Sequence, residues 1–215
     1  MKLQLYRPVK ARQADSLNKN QYNPQFTGIS VVSQFFGESW NPLYKQLGML
    51  GHNGIDIPIK SAEPIYASHD GIVNMVSTDL RLGYGVELLT NEAYDYKDQQ
   101  AFYKTRYWHL LAPVVSPGQK VELGQILGYG DNTGMSTGDH LHWDLKPIFK
   151  KDGVWQNYEP INGYFGCINL LPYLIEQDAF QERKDLDSVG AGIIKAKFIL
   201  DKISEIIKNL FKKVG

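Results

Sequence analysis

The stretch GDHLHWDL, residues 138–145, places His140 and His142 two positions apart in a chain that holds five histidines. On a strand, residues i and i+2 point to the same face with Cα atoms about 6.6 Å apart. One imidazole can then bind a metal while the other reaches a molecule bound beside it. Upstream, GHNGID (51–56) sets His52 and Asp56 four positions apart. A straight strand would hold them roughly 13 Å apart, too far for both to reach one ion at ~2.0–2.2 Å. The intervening Asn53-Gly54 favours a bend that closes the gap, and the following IPIK disfavours a helix. Two imidazole nitrogens and one carboxylate make a three-ligand zinc site with the fourth position open to water. His109, in YWHL, and one of the 140/142 pair are then left over. Metal-assisted hydrolysis uses that inventory. The metal acidifies water and polarises a carbonyl, one imidazole takes a proton, and another stabilises an oxyanion or protonates a leaving amine. Spacing alone does not say which of His140 and His142 is the ligand.

The elements that must hold these residues read as strands. From Gly28 onward, GISVVSQFFG, SAEPIYASHDGIVNMVS, YGVELLT, TRYWHLLAPV, SPGQKVELGQILGYG and HLHWDLKPI are short β-type runs. Gly, Pro and Asp turns separate them, with no clear helix between, which predicts an antiparallel all-β core. Asp70-Gly71 reads as a hairpin turn between two of these runs. NEAYDYKDQQAFYK (91–104) reads as a loop or extended hairpin, and CINLLPYLIEQ as a short closing helix or an apolar cover.

The chain has 215 residues, 43% of them apolar, enough for one substantial domain with appendages or for two small domains. Its formal charge is zero but uneven, because residues 1–20 and residues 190–215 each carry a net +4. Basic ends on an acidic middle suggest contact regions outside the main fold, or ordinary solvated ends. No nucleic-acid partner is expected. The lone Cys167, among apolar residues, allows no internal disulfide and reads as a buried structural thiol. His69, in SHDG, reads as a hairpin residue. The first residues carry no apolar run of signal-peptide length, and no segment reaches the ~20 apolar residues of a membrane span. Delivery to the outside would then take another route, such as a phage particle.

Three regions are expected: a basic N-terminal arm over 1–24, a main domain over 25–180, and a linker with an amphipathic C-terminal helix over 181–215. In the tail, Ile199, Ile203, Ile206, Ile207, Leu210 and Val214 fall at helical spacing with lysines between them. A helix over 193–213 would be roughly 31 Å long. It would dock on its own domain or self-associate, or else lie on a membrane surface or bind a protein partner.

GHNGID, YWHL and GDNTGMSTGDHLHWDL, in this order and with these gaps, resemble the lysostaphin-type, LytM-like zinc endopeptidases that cut peptidoglycan peptides. FFGESW and VSPGQKVELGQILGYGDNTG resemble the family's flanking segments, and the match covers roughly residues 28–148. The resemblance implies that His52, Asp56 and His142 hold Zn2+ and that His109 and His140 are the catalytic pair. It also implies a two-layer, mostly antiparallel β fold with the site in a groove, peptidoglycan as substrate and the bacterial cell wall as the place of action. A zinc-stabilised module that binds cell wall or a partner without cutting is the alternative. Two departures stand out. Asp139 occupies a position where relatives often have proline, and the 91–104 insertion is expected to build a groove wall. Which peptide bond is cut is left open.

Overall fold

In the computed structural model, which describes residues 1–10 and 32–178, the Gly- and Asp-punctuated runs form strands. They are β1 (Leu5–Arg7), β2 (Ile55–Pro58), β3 (Pro64–Tyr66), β4 (Gly71–Asp79), β5 (Gly83–Thr90) and β6 (Tyr94–Tyr96). There follow β7 (Gln99–Pro113), β8 (Lys120–Val121), β9 (Ile126–Gly130), β10 (His140–Lys151), β11 (Val154–Asn157) and β12 (Leu174–Asp178). The α-helix of the described residues is a single turn, α1 (Leu43–Gln46). The described residues belong to one unit, Met1–Phe180. The expected C-terminal helix, its linker from 181 and residues 11–24 of the expected arm lie outside the described residues.

The main sheet is antiparallel and runs β11-β10-β7-β5-β4-β8. Strand β10 is its hub. Strand β7 lies along one edge of it, while β2 and β11 share the other. Strand β9 continues the β7 edge and carries β3. The period-2 alternation of β10 decides its two faces. Leu141, Trp143 and Leu145 are fully buried together with Tyr103 and Tyr107 of β7. The Tyr107 and Trp143 rings stack with centroids 6.4 Å apart. Each such large apolar side chain contributes about 1.5–3 kcal/mol by leaving water. His140, His142 and Asp144 alternate with them and face the other way. That core layer makes β10 a stiff support for its histidines.

Several expectations are corrected. Residues 1–10 are not a loose arm: Leu3, Leu5 and Val9 are buried in the core, and β1 pairs in parallel with β12. The sequence there looked aperiodic because three short apolar residues among basic ones give too brief a pattern to read. The runs flanking Asp70-Gly71 do not pair with each other. Strand β3 pairs with β9, and β4 with β5 and β8. Of the two readings of the closing segment, the apolar cover holds: Leu170 is in the core and Leu171, Tyr173 and Leu174 pack against it, through a 3-10 turn, Leu171–Tyr173, that leads into β12. Residues 91–104 do form the extended hairpin, β6 with the start of β7.

Candidate metal centre and its groove

Strand pairing brings the two halves of the proposed ligand set together. In the β2–β10 ladder His142 lies directly opposite Asp56, and His140 opposite Pro58. Just before β2 the chain bends at Asn53-Gly54, as the sequence suggested, and returns His52 to the same spot. Gly54 matters for its size. A Cβ there would lie 2.6 Å from the Trp143 carbonyl oxygen and 2.9 Å from His142 Cε1 and Nε2. The segment before α1 holds His52 from the other side, the Glu38 carbonyl accepting its backbone N–H at 2.8 Å.

Three atoms converge. His52 Nε2 lies 3.1 Å from Asp56 Oδ1 and 2.9 Å from His142 Nδ1, and His142 Nδ1 lies 3.0 Å from Asp56 Oδ1. A tetrahedral zinc shell with ~2.0–2.1 Å bonds has ligand–ligand edges of about 3.3–3.4 Å, so this triangle needs to open only slightly to fit. The outer nitrogens are committed elsewhere, as metal-binding imidazoles require. His52 Nδ1 faces the Phe35 carbonyl at 3.3 Å, and His142 Nε2 faces Asp144 Oδ2 at 3.3 Å. Among the described residues these three form the one such cluster with metal-ligand reach.

Asp144 is fully buried and paired with Arg106, whose Nε donates to Oδ1 at 2.9 Å. An Arg106 terminal nitrogen lies 2.8 Å from Oδ2, close enough for an ion pair but poorly aligned for a hydrogen bond. Burial alone would raise the Asp144 carboxyl, but the Arg106 charge and the His142 imidazole facing Oδ2 outweigh it and hold it well below the usual range. Burial also raises the Asp56 carboxyl, and hydrogen bonds from His142 and His52 outweigh it in turn. For His142 burial lowers the imidazole pKa, yet Asp144 and Asp56 together push it up to about 9. A cation taken up at Nδ1 therefore displaces a proton.

The two remaining histidines stand beside this triangle. The His109 and His140 rings are 4.6 Å apart, and His109 lies 6.2 Å from the His142 ring. His140 Nδ1 faces the Gly138 carbonyl at 2.8 Å, and its Nε2 lies 3.7 Å from Asp56 Oδ2. His109 Nδ1 faces the Thr133 carbonyl at 2.7 Å. A carbonyl only accepts, so both rings present an Nδ1 hydrogen to it, and a neutral His109 keeps its lone pair on Nε2. Burial first, then the neighbouring His140, lowers the His109 pKa to about 4, which keeps that ring neutral at physiological pH.

His109 reaches the groove through a backbone exception. Along β7 the alternation buries Tyr103, Thr105 and Tyr107 and turns Arg106 and Trp108 toward the groove. Continued regularly, it would send His109 to the core. Instead His109 has φ +65°, and the β5–β7 ladder shifts register there, between Trp108 and Leu110. This bulge puts Trp108 and His109 on the same side. A left-handed non-glycine residue costs on the order of 1–3 kcal/mol and persists only where its surroundings hold it.

The five residues line one groove of about 590 Å3. Its walls are apolar: Trp40, Leu47, Leu82, Met135 and Phe165 line it and are substantially exposed. Tyr44 also lines it, and burial followed by the Asp56 charge pushes its hydroxyl up to about 12, so it stays a donor. None of residues 91–104 lines the groove. That hairpin packs instead on the N-terminus and on Tyr158, so the expected groove wall is corrected to the 34–49 segment, the β4–β5 turn and the 134–137 loop. Asp139 is exposed and lines no part of the groove, while its carbonyl accepts from Ile59 N–H at 3.3 Å.

His69 is buried away from the groove between the Asp70 carbonyl and Thr105 Oγ1, at 2.8 and 2.9 Å. Cys167 is buried, and burial pushes its thiol up to about 12, so it is an unreactive structural residue. Sequence reading missed Asp144, Arg106 and Thr133. The i+2 step from His142 to Asp144 was the available signal for the first; nothing in the sequence points to the other two, which meet the site only across strands.

The sequence model of Peptidase family M23 matches residues 50–158, a span that contains all five groove residues. Peptidoglycan DD-endopeptidase ShyA of Vibrio cholerae is 33% identical over 135 residues, which are 62% of this chain and 29% of that protein. DD-carboxypeptidase/endopeptidase Mpg of Neisseria meningitidis is 30% identical over 128 residues, 60% of this chain and 27% of that protein. The chain thus matches less than a third of the length of these relatives. The catalytic domain of the antimicrobial peptidase lysostaphin from Staphylococcus simulans superposes with a TM-score of 0.45 at 22% identity, covering 60% of this chain and 89% of that one.

Proposed function

The chain belongs to peptidase family M23, and from that membership together with the groove geometry we propose that it is a zinc-dependent endopeptidase acting on the peptide part of bacterial peptidoglycan at the cell wall. One observation carries the reading: His52 Nε2, Asp56 Oδ1 and His142 Nδ1 converge on one point beside the His109 and His140 rings. His52, Asp56 and His142 would hold the metal, and the donor set of two imidazoles and one carboxylate suits Zn2+. When bound, zinc supplies Lewis acidity toward a carbonyl oxygen and a water molecule.

The side chains supply the rest. The neutral His109 ring can take a proton from the attacking water on Nε2 as the water oxygen bonds to the carbonyl carbon. A ring that has gained this proton becomes a donor. It can then pass the proton to the leaving nitrogen as the C–N bond breaks. His140, its Nδ1 hydrogen held by the Gly138 carbonyl, offers its Nε2 edge to the same reacting atoms. The Tyr44 hydroxyl is a further donor on the groove wall. The apolar walls formed by Trp40, Leu47 and Met135 suit uncharged peptide segments.

The test is release of soluble amines from purified peptidoglycan by the full chain. Release that stops on chelation and returns with zinc supports the reading. A chain that binds zinc and cell wall yet releases no amine would be the non-cleaving module instead. Mass spectrometry of the released muropeptides from several wall types identifies the bond.

A further inference from the structure

The loop before β10 contains a residue that touches the site only through His109. Thr133 makes three short hydrogen bonds at the β7 bulge. Its carbonyl accepts from His109 Nδ1 at 2.7 Å. Its Oγ1 donates to the Leu110 carbonyl at 2.7 Å and accepts from Tyr84 N–H at 3.0 Å. Tyr84 and Leu110 are register partners in the β5–β7 ladder. The hydroxyl thus stands in for the rung that the bulge opens, and satisfies both backbone groups. Two residues earlier, Asp131 N–H donates to the His109 carbonyl at 3.0 Å. The close approach depends on Gly83, whose φ is +95° and where a Cβ would lie 2.6 Å from the Thr133 carbonyl oxygen.

We propose that Thr133 is a positioning residue. Its hydroxyl closes the bulge that turns His109 into the groove, and its carbonyl holds the ring hydrogen on Nδ1, leaving Nε2 to the substrate. The side-chain and main-chain contacts act on one target, since the hydroxyl anchors the same residue whose carbonyl orients the ring. This rests on the reading of His109 as one of the catalytic pair.

The test uses the zinc-loaded full chain with Thr133→Val, which is isosteric but lacks the hydroxyl, and Thr133→Ser, which keeps it. Imidazole 1H–15N correlation spectra should show His109 as a single Nδ1–H tautomer in the wild type and in Thr133→Ser. In Thr133→Val they should show mixed or broadened tautomers. On purified peptidoglycan kcat should fall about 10–100-fold in Thr133→Val, the scale of an ångström-level misplacement. KM and zinc content should stay within about two-fold of wild type, because neither depends on His109. Thr133→Ser should recover most of kcat. Unchanged His109 signals and kcat in Thr133→Val would overturn the proposal, as would a Thr133→Ser variant as defective as Thr133→Val. Thr133→Ala is the second hydroxyl-free variant should the valine not fold. If neither folds while Thr133→Ser does, the hydroxyl serves stability alone and the positioning role is lost. A wild-type chain that releases no amine would sink the peptidase reading instead, and the tautomer spectra would still decide the role of Thr133.

Discussion

Replacing Asp144 by alanine takes the partner from two buried groups at once. Its side chain is fully buried and that of Arg106 is 17% exposed, so water replaces little of what is lost. Removing one member of such a pair leaves an uncompensated charge and costs about 3–5 kcal/mol. For a unit of this size each kcal/mol is roughly 2–4 °C, so Tm should fall by about 10 °C. The second effect is on the metal. His142 Nε2 loses the acceptor 3.3 Å away that orients its ring and makes Nδ1 a stronger base. Loss of such a support weakens metal binding by about 10–100-fold. The two effects separate in the double variant Arg106→Met/Asp144→Leu. An apolar pair of similar volume is near neutral or stabilising, so its Tm should return close to wild type while zinc affinity stays low. Thermal melts of chelated protein and zinc competition against a chromogenic chelator measure the two quantities. An Asp144→Ala variant that melts within about 2 °C of wild type and binds zinc equally well would refute the reasoning. So would a double variant that regains full zinc affinity.

Three further outcomes are expected. His140→Ala should keep zinc and lose wall digestion, whereas His142→Ala should lose both, as read by metal analysis and amine release. Gly54→Ala places a methyl 2.6 Å from the Trp143 carbonyl oxygen and 2.9 Å from the His142 ring. It should cost about 1–3 kcal/mol by overpacking and weaken zinc uptake, and normal uptake would show that the close approach does not hold His142 in place. His69 is buried, and that burial lowers its pKa from 6.5 to about 4. Below pH 6.5 the unfolded chain therefore takes up a proton that the folded chain refuses. As pH drops from 6.5 to 4, His69 should contribute a loss of stability of about 3 kcal/mol, beside the loss from His109, whose pKa burial lowers to the same value. His69→Asn should remove the His69 share of this slope in urea melts recorded across the range and leave that of His109, and a slope identical to wild type would contradict the assignment.

Much of the site could be read in the chain itself. Residues i and i+2 share a strand face, so His140 and His142 had to be neighbours wherever HLHWDL formed a strand. Asn53-Gly54 forced the bend that lets His52 approach Asp56. These are local rules, decided within five residues by backbone geometry. The β class followed from turn residues at short intervals for the same reason, and the buried, unreactive state of Cys167 followed from its apolar neighbours.

Other features depended on partners distant in sequence. Only the β2–β10 register sets Asp56 against His142, and only the β7–β10 register sets Arg106 against Asp144. The 91–104 hairpin had no sequence mark to say it would pack on the N-terminus rather than beside the groove. Leu3, Leu5 and Val9 joined the core because a neighbouring strand end, β12, was open to receive them. His109 is the sharpest case. Alternation along TRYWHL assigns its side chain to the core, and the sequence alone supplies no reason to break that pattern. The positive φ that turns it into the groove is stabilised by Thr133, Gly83 and Tyr84, residues brought alongside by two other segments. Local chemistry therefore selected which residues could act, while the hydrogen bonds between strands, which no short stretch of chain can make for itself, decided where each of them points.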